Sequence, residues 1–245
     1  MFSKKLQGLI MKKTLAFDVY GTLIDTNGVT ALLETMLVDQ ADGFDKNQRV
    51  ERAQRFADTW RAKQLEYSFR RGFMNCYEDF PVCTKESLIF TCAYLKTSLT
   101  TQQQQQLLDI YKTLPAYNDV AHGLSILMKD HKLIAFSNGT YNSVKGLLVS
   151  AGLDKYFAQI VSADEIKTFK PNPDIYQYLL TQSDSTAEST WLISSNSFDV
   201  IGAKSFGLQA AWVKRNDSDV FDPWGVKPDI VVQNLEELAS KLSQQ

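Results

Sequence analysis

The chain has 245 residues, of which 44% are hydrophobic and 22% charged, and its formal net charge at pH 7 is -2. This length suits one compact domain or a core that carries an inserted subdomain. The near-neutral charge gives no electrostatic reason to expect nucleic-acid binding, which depends on a basic surface, and the three cysteines include no close pair that would indicate a disulfide framework or a zinc site.

The N-terminal segment is basic, and its apolar run is too short for a signal peptide. No later run is long enough to cross a bilayer, so we expect a soluble cytoplasmic protein without a membrane partner. Met11 is followed by two lysines and resembles a second start, which predicts that residues 1–10 are a loose extension.

Short apolar segments of β-forming residues recur along the chain and predict buried strands. They are residues 15–19, 133–136, 160–161, 191–193, 210–213 and 230–232. Helix-length segments separate the later ones, and Gly152 and Gly207 are predicted to end two of these helices. The alternation predicts an α/β fold with a Rossmann-like, doubly wound parallel sheet, whose ligands lie beyond the carboxyl ends of the strands.

Residues 28–113 interrupt this alternation with long helical stretches, which predicts an inserted α-helical cap. The catalytic core is then discontinuous and consists of residues 12–27 and 114–245. The first long cap helix is predicted from after Asp45 to about Phe69. The residues expected on its inward face are Val50, Ala53, Ala57, Trp60 and Gln64. The glutamines at 102–106 are expected on a solvated helix.

Polar side chains follow several of the predicted strands. Asp18 ends the first, in the string AFDVYGTLID, and Ser137 and Asn138 follow the second. Lys170 and the string Ser194–Asp199 stand in corresponding places later in the chain. Each residue alone is explained as a turn, a cap or a surface ion pair. Their common placement at strand ends favours a catalytic site with Asp18 as nucleophile.

The strings DVYGT, WRAKQLEY, FSNG, KPNPDIY and SSNSFD resemble the haloacid dehalogenase (HAD) superfamily, and within it the type II L-2-haloacid dehalogenases. The resemblance covers about residues 14–238. It implies a hydrolase of carbon–halide bonds that converts small (S)-2-haloalkanoic acids to (R)-2-hydroxyalkanoic acids plus halide. The reaction would pass through a covalent ester on Asp18.

Two departures separate the chain from the phosphatases of that superfamily. Tyr20 stands where phosphatases have a second Asp as general acid, which a halide leaving group does not need. Asp199 is the one acidic residue of SSNSFD, so the charge around a hard cation such as Mg²⁺ would be weak. The sequence therefore predicts a metal-independent enzyme without cofactors.

Catalytic roles are assigned to seven residues. These are Asp18, Thr22, Arg61, Lys170, Ser194, Asn196 and Asp199. Lys170 is the expected counter-charge that keeps Asp18 ionised. Asp199 is the expected general base with Asn196 positioning the water, and Thr22, Lys170 and Ser194 are expected to stabilise the ester oxygens.

Substrate-binding roles follow from the resemblance. Ser137 and the backbone amides after Asp18, at Val19 and Tyr20, would hold the substrate carboxylate, and Arg61 with Asn138 would receive the halide. The apolar walls would be Tyr20, Leu65, Phe80 and Phe198. Tyr176 has two equally supported interpretations, an orienting residue of the Lys170 network or a buried structural tyrosine.

Two other functions stay open at the level of sequence. They are a HAD-type phosphatase and a catalytically silent domain that binds a carboxylate in the Asp18 pocket. Homodimers occur in the resembled family, so a homodimer is expected by resemblance. Ala62, Phe69 and Phe198 replace residues common in that family, and such changes bear on substrate preference more than on catalysis.

Overall fold

The computed structural model describes residues 12–37 and 45–244. Within them, six strands form one sheet in the order β3-β2-β1-β4-β5-β6, and every neighbouring pair is parallel. The strands are β1 (Thr14–Phe17), β2 (Lys132–Ser137), β3 (Gln159–Ser162), β4 (Thr190–Ser194), β5 (Gln209–Val213) and β6 (Ile230–Val232). The predicted doubly wound parallel sheet is confirmed, with strand ends displaced by no more than two residues.

Helices flank the sheet and fill the stretch between β1 and β2. Those before β2 are α1 (Asn27–Leu37), α2 (Lys46–Met74), α3 (Phe80–Tyr94), α4 (Thr101–Asp109) and α5 (Val120–Leu127). Those after it are α6 (Tyr141–Ser150), α7 (Pro173–Ser183), α8 (Ser197–Phe206) and α9 (Leu235–Leu242). None of the helices in the described residues has the length and hydrophobicity that crossing a bilayer requires.

Both faces of the sheet are covered, as the continuous apolar strands predict. In β1, Leu15 and Phe17 join one buried cluster while Ala16 joins the cluster on the opposite face. The ladder continues one residue past the strand, because the Asp18 amide donates to the Ile193 carbonyl at 2.9 Å. The carboxyl end of the central strand therefore delivers Asp18 to the middle of one sheet edge.

The long helix α2 begins at a capping box, in which Asp45 accepts from the Gln48 amide while the Gln48 side chain accepts from the Asp45 amide. The prediction that the Trp60 face packs inward is confirmed, and the Trp60 indole donates to the Thr84 carbonyl at 2.9 Å. The prediction that Val50 lies on that face is wrong, because Val50 is 39% exposed. Most residues of the first helical turn are exposed too. The helix also ends at Met74 rather than near Phe69.

Several smaller sequence predictions are also settled. Gly152 and Gly207 follow the ends of α6 and α8 with φ of +68° and +106°, the left-handed backbone that glycine adopts at helix ends. The glutamines at 102–106 lie on α4, capped by Thr100 and largely solvated. The prediction about residues 1–10 falls outside the described residues, and the division into core and cap stays a prediction.

Helices α5 and α9 approach closely because Gly123 has no side chain. A Cβ atom on Gly123 would lie 2.5 Å from the Leu235 Cβ and 3.0 Å from the Leu235 carbonyl carbon. Such a contact is too short for any pair of carbons, so one of the helices would have to shift. By contrast, a Cβ on the exposed Gly146 of α6 would meet no atom within 4 Å.

Gly123→Ala is expected to lower the free energy of unfolding by about 1–3 kcal/mol through overpacking. The matched variant Gly146→Ala is expected to raise it by about 0.5–1 kcal/mol, because alanine favours a helix interior over glycine. Urea denaturation of both variants measures the difference. Equal effects of the two substitutions would contradict the close approach of α5 and α9.

Candidate active site

The predicted strand-end residues meet around one buried ammonium group, that of Lys170. Its Nζ donates to Asp18 Oδ1 at 2.8 Å, to Asp199 Oδ2 at 2.6 Å and to the Phe136 carbonyl at 3.2 Å. The Lys170 side chain is 1% exposed and that of Asp199 is fully buried. Three segments that are distant in sequence are thus joined by a single cation.

In the triad of Asp18, Lys170 and Asp199, burial and the nearby opposite charges shift the pKa values of Lys170 and Asp199 in opposite directions. Burial lowers the pKa of Lys170, but the attraction of Asp18 and Asp199 outweighs it, so the pKa lies above its ordinary value. Burial and the neighbouring Asp18 charge raise the pKa of Asp199 to about 6 against the opposing effect of Lys170. Lys170 is therefore a fixed cation at neutral pH, whereas Asp199 exchanges a proton near neutrality.

The two oxygens of Asp18 have different surroundings. Oδ2 accepts from Thr22 Oγ1 at 2.8 Å and from Asn196 Nδ2 at 2.7 Å, whereas Oδ1 accepts from Lys170 alone among the described residues. A carboxylate oxygen offers two lone pairs, so Oδ2 is fully engaged and Oδ1 keeps one lone pair. Oδ1 is therefore the oxygen that has a lone pair for attack on an electrophile, and Oδ2 is surrounded by donors.

Tyr176 belongs to the second layer of the site. Its hydroxyl donates to Asp199 Oδ1 at 2.9 Å, and burial raises its pKa well above the ordinary value. A Cβ atom on Gly202 would lie 2.4 Å from that hydroxyl, so glycine is required there. Tyr176 is fully buried and bound to Asp199, so its position is compatible with both interpretations, the orienting residue and the buried structural tyrosine.

Ser194, Ser137 and Asn138 each accept a hydrogen bond from a backbone amide of the site. Ser194 Oγ accepts from the Asn196 amide at 3.1 Å and contacts neither Asp18 nor Lys170. Ser137 Oγ accepts from the Gly139 amide at 3.1 Å. Asn138 Oδ1 accepts from the Lys170 amide at 2.7 Å. Ser194 therefore orients Asn196, and Asn138 fixes the backbone of Lys170.

A chamber of about 20 Å³ lies against Asp18. Its lining contains ten of the predicted residues, and Val19, Thr22, Ser194, Tyr176 and Asp199 lie outside it. The lining residues are Asp18, Tyr20, Arg61, Leu65, Phe80, Ser137, Asn138, Gly139, Lys170, Asn196 and Phe198. Burial raises the pKa of Tyr20 to about 12, so the phenol stays neutral.

Arg61 reaches this chamber from helix α2. Within residues 12–37 and 45–244 its guanidinium forms neither a salt bridge nor a hydrogen bond, although it is half-buried. An unpaired, partly desolvated cation on a chamber wall is a binding position for an anion. The predicted halide-binding role of Arg61 is compatible with this placement.

Sequence reasoning missed two residues that hold the loop after Asp18. Ser195 Oγ donates to the Gly21 carbonyl at 2.8 Å, and its amide donates to Thr22 Oγ1 at 2.8 Å. Arg215 donates to the Thr22 carbonyl from Nη2 at 2.6 Å and pairs with Asp119 at 2.8 Å. Arg215 lies 193 residues from Thr22, and no local pattern marks it.

Comparison with known proteins gives a consistent result. The sequence model of the haloacid dehalogenase-like hydrolases matches residues 12–207. The chain is 32% identical over 230 residues to (S)-2-haloacid dehalogenase 2 of Pseudomonas sp. (strain CBS-3), covering 94% of this chain and 95% of that protein. It is 31% identical to haloacetate dehalogenase H-2 of Moraxella sp. (strain B), covering 93% of this chain and 97% of that protein.

A solved structure is similar over nearly the whole chain. It is the L-2-haloacid dehalogenase from Xanthobacter autotrophicus with chloropropionic acid covalently bound, with a TM-score of 0.82 and 29% identity. The match covers 95% of this chain and 99% of that chain.

Removal of the central cation tests the electrostatic description. Lys170→Met leaves two buried carboxylates unpaired and is expected to cost about 3–5 kcal/mol of unfolding free energy at pH 8. The pKa of Asp199 is already raised by burial, so its ionised form destabilises the fold and protonation relieves the cost. The loss should therefore be smaller at pH 5, as measured by urea denaturation at both pH values.

Two further variants serve as controls for this measurement. Lys129→Met, at an exposed position, should change the stability by less than about 0.5 kcal/mol at either pH. Adding Asp199→Asn to Lys170→Met should recover part of the loss at pH 8. An equal loss at both pH values would show that unpaired charge is not the cause.

Proposed function

The chain belongs to the haloacid dehalogenase-like hydrolases, in the group of the (S)-2-haloacid dehalogenases, and from that premise we propose that it hydrolyses small (S)-2-haloalkanoic acids. The products are the (R)-2-hydroxyalkanoic acid and halide. One observation carries the proposal. An Asp18 carboxylate oxygen that keeps one lone pair and the Arg61 guanidinium, which has no partner among the described residues, line the same small chamber.

The first step is displacement of the halide. Asp18 Oδ1 attacks C2 of the substrate from the face opposite the halogen, and the carbon–halogen bond breaks with its electron pair leaving on the halide. No proton is transferred, so the neutral phenol of Tyr20 suits this wall better than an acid would. Arg61 receives the halide, with Asn138 beside it, and C2 is inverted in the Asp18 ester.

The substrate carries a carboxylate of its own into the chamber. Ser137 and the amides of Val19 and Tyr20 are proposed to hold this group, while Leu65, Phe80 and Phe198 surround the alkyl part. Two unit charges about 4 Å apart repel by roughly 4 kcal/mol at an effective dielectric near 20. The cations Lys170 and Arg61 offset this repulsion between the substrate and Asp18.

The second step is hydrolysis of the ester. Water attacks the carboxyl carbon of Asp18 and gives a proton to Asp199, and negative charge develops on Oδ2. Thr22 and Asn196 already donate to that oxygen and stabilise the charge. The bond between the Asp18 carboxyl carbon and Oδ1 breaks, so Oδ1 leaves with the product. Asp199 protonates the departing alkoxide, and the second proton of water is released as the new Asp18 carboxyl group ionises. The C2 configuration is kept in this step.

A divalent cation, which phosphatases of this fold use, does not fit the donor set. Asn196 Nδ2 donates to Asp18 Oδ2 at 2.7 Å and to the Tyr20 carbonyl at 3.3 Å, so an N–H donor, rather than a carboxylate oxygen, faces these two oxygens. The Asp18 oxygen opposite is bound to the Lys170 ammonium. No step of the proposed reaction passes through a metal.

Three finer statements belong to the same proposal. The core of residues 12–27 and 114–245 carries the nucleophile, and the cap of residues 28–113 supplies Arg61, Leu65 and Phe80. The protein acts in the cytoplasm. It forms a homodimer, as the family resemblance implies.

Incubation of the purified protein with (S)-2-chloropropionate and EDTA is expected to release chloride and (R)-lactate in equal amounts. Ion chromatography and chiral analysis measure both products. Asp18→Asn should abolish chloride release, whereas Asp130→Asn, at an exposed position, should leave it unchanged. Absence of halide release from any chloro-, bromo- or fluoroacid would overturn the proposal. Magnesium-dependent hydrolysis of p-nitrophenyl phosphate would support a phosphatase instead.

The covalent route is tested by intact mass spectrometry of Asp199→Asn after mixing with the same substrate. Loss of the general base should trap the ester on Asp18 and add the mass of one carboxyethyl group. The double variant with Asp18→Asn should carry no adduct. Chloride release by Asp199→Asn without an adduct would indicate direct attack by water.

In the pH profile of ester hydrolysis, the acidic limb is the range in which the rate falls as the pH is lowered. Tyr176→Phe is expected to move this limb to higher pH. The Tyr176 hydroxyl donates to the ionised Asp199 carboxylate and so lowers the pKa of Asp199, and its loss lets that pKa rise. Single-turnover rates of (R)-lactate formation between pH 4.5 and 8 measure the limb. An unchanged limb with a uniformly lower rate would mean that Tyr176 acts through packing alone.

A further inference from the structure

The reaction chamber adjoins a much larger cavity that the proposed reaction does not use. A groove of about 1150 Å³ lies between the C-terminal part of α2 and the helices α7 and α8. Its apolar lining includes Phe69, Phe73, Phe169, Ile201, Phe206 and Trp224. The chamber and the groove share two lining residues, Lys170 and Phe198, so a single layer of side chains separates them.

The two side chains of this partition are held very differently. Lys170 is fixed by three hydrogen bonds to Asp18, Asp199 and the Phe136 carbonyl. Phe198 makes no polar contact and packs edge-on against Phe69, with ring centroids 5.0 Å apart and an angle of 70° between the rings. Phe198 is therefore the part of the partition that a substitution can remove without disturbing the charged groups.

The chamber itself is small. Its volume of about 20 Å³ is little more than the ~10–15 Å³ that one water molecule needs on this measure. So small a space favours the shortest 2-haloacids, because each further CH₂ group has to pass a wall. Most polar residues of the wall are fixed by hydrogen bonds. The part of the wall that a longer chain has to pass therefore consists of the apolar residues Tyr20, Leu65, Phe80 and Phe198.

Two further cavities adjoin the chamber, so three routes lead out of it. One, of about 360 Å³, lies beyond Leu65 and Phe198 and has Arg61, Arg215 and Asp219 in its lining. The other, of about 380 Å³, lies beyond Tyr20 and Phe80, and its lining includes the charged residues Arg61, Asp79, Lys85, Asp109 and Lys112.

An alkyl chain that entered either of these cavities would desolvate charged groups, which is unfavourable. The groove has two charged lining residues, Lys170 and Asp222, and the Lys170 ammonium is already paired with Asp18 and Asp199. The groove therefore offers the more favourable surroundings to a hydrocarbon chain.

We infer that Phe198, supported by Phe69, sets the chain-length limit of the enzyme and separates the chamber from an alkyl-binding groove. The wild-type chain then acts on 2-haloacids of two or three carbons. Without the Phe198 ring, the groove accepts the tail of longer 2-haloalkanoic acids. This inference rests on the proposed dehalogenation.

The test is the ratio of kcat/KM for (S)-2-bromohexanoate to that for (S)-2-bromopropionate. Burial of one CH₂ group multiplies binding about fourfold, so three additional groups should raise the ratio by about tenfold or more in Phe198→Ala. Phe198→Leu and Phe69→Ala should raise it in the same direction by less. Phe69 does not line the chamber, so the second of these tests the partition even if Phe198→Ala fails to fold.

A double variant and a control test whether the alkyl tail of the substrate enters the groove. A Cβ on Gly72 would meet its nearest atoms at 3.8 Å, an ordinary contact with Phe169, so a larger side chain can project into the groove. Gly72→Leu added to Phe198→Ala should remove the gain on bromohexanoate and leave kcat/KM for bromopropionate at the level of Phe198→Ala alone. The control Lys129→Met, at an exposed position outside the chamber and the groove, should leave activity on bromopropionate unchanged.

Several results would overturn the inference. They are equal wild-type activity on the two acids, an unchanged ratio in both Phe198→Leu and Phe69→Ala, or a gain from Phe80→Ala in place of Phe198→Ala. The last result would direct the tail to the cavity beyond Tyr20 and Phe80. Absence of halide release from every acid by the wild-type protein would overturn the proposed function, and this inference with it.

Discussion

The site depends on one buried cation between two carboxylates. Lys170 links Asp18, which follows β1, to Asp199, which lies in the first turn of α8, and its backbone is fixed by Asn138 after β2. A charge so deeply buried is tolerated only when it is paired and hydrogen-bonded, and all three donors of the ammonium are used. The same contacts that make the charges tolerable also fix the nucleophile in position.

The sheet explains why much of this arrangement was predictable. Parallel strands end at a common edge, so a polar residue after each apolar segment predicts a shared site without knowledge of the fold. Asp18, Asn138 and Asn196 were found in this way. Arg61 was found differently, by the resemblance of its surrounding string, because the sequence pattern does not tell how α2 lies relative to the sheet edge.

The remaining parts of the site were not predictable for physical reasons. The contact of Arg215 with the Thr22 carbonyl joins residues far apart in sequence, and the close approach of Gly202 to Tyr176 depends on how two helices pack. The adjacent residues Ser194 and Ser195 look equivalent in sequence. Alternate residues of a strand point in opposite directions, and it is Ser195 that bonds Thr22.

The position of Arg61 on α2 has a consequence for the movement of charge. Asp18, Asp199, Lys170 and Arg61 sum to zero when all are ionised, and the substrate adds one negative charge. In the proposed displacement the total stays unchanged, but one negative charge moves from Asp18 at the sheet edge to the halide beside Arg61 on α2. The electrostatic attraction between α2 and the sheet edge would therefore differ before and after the halide forms.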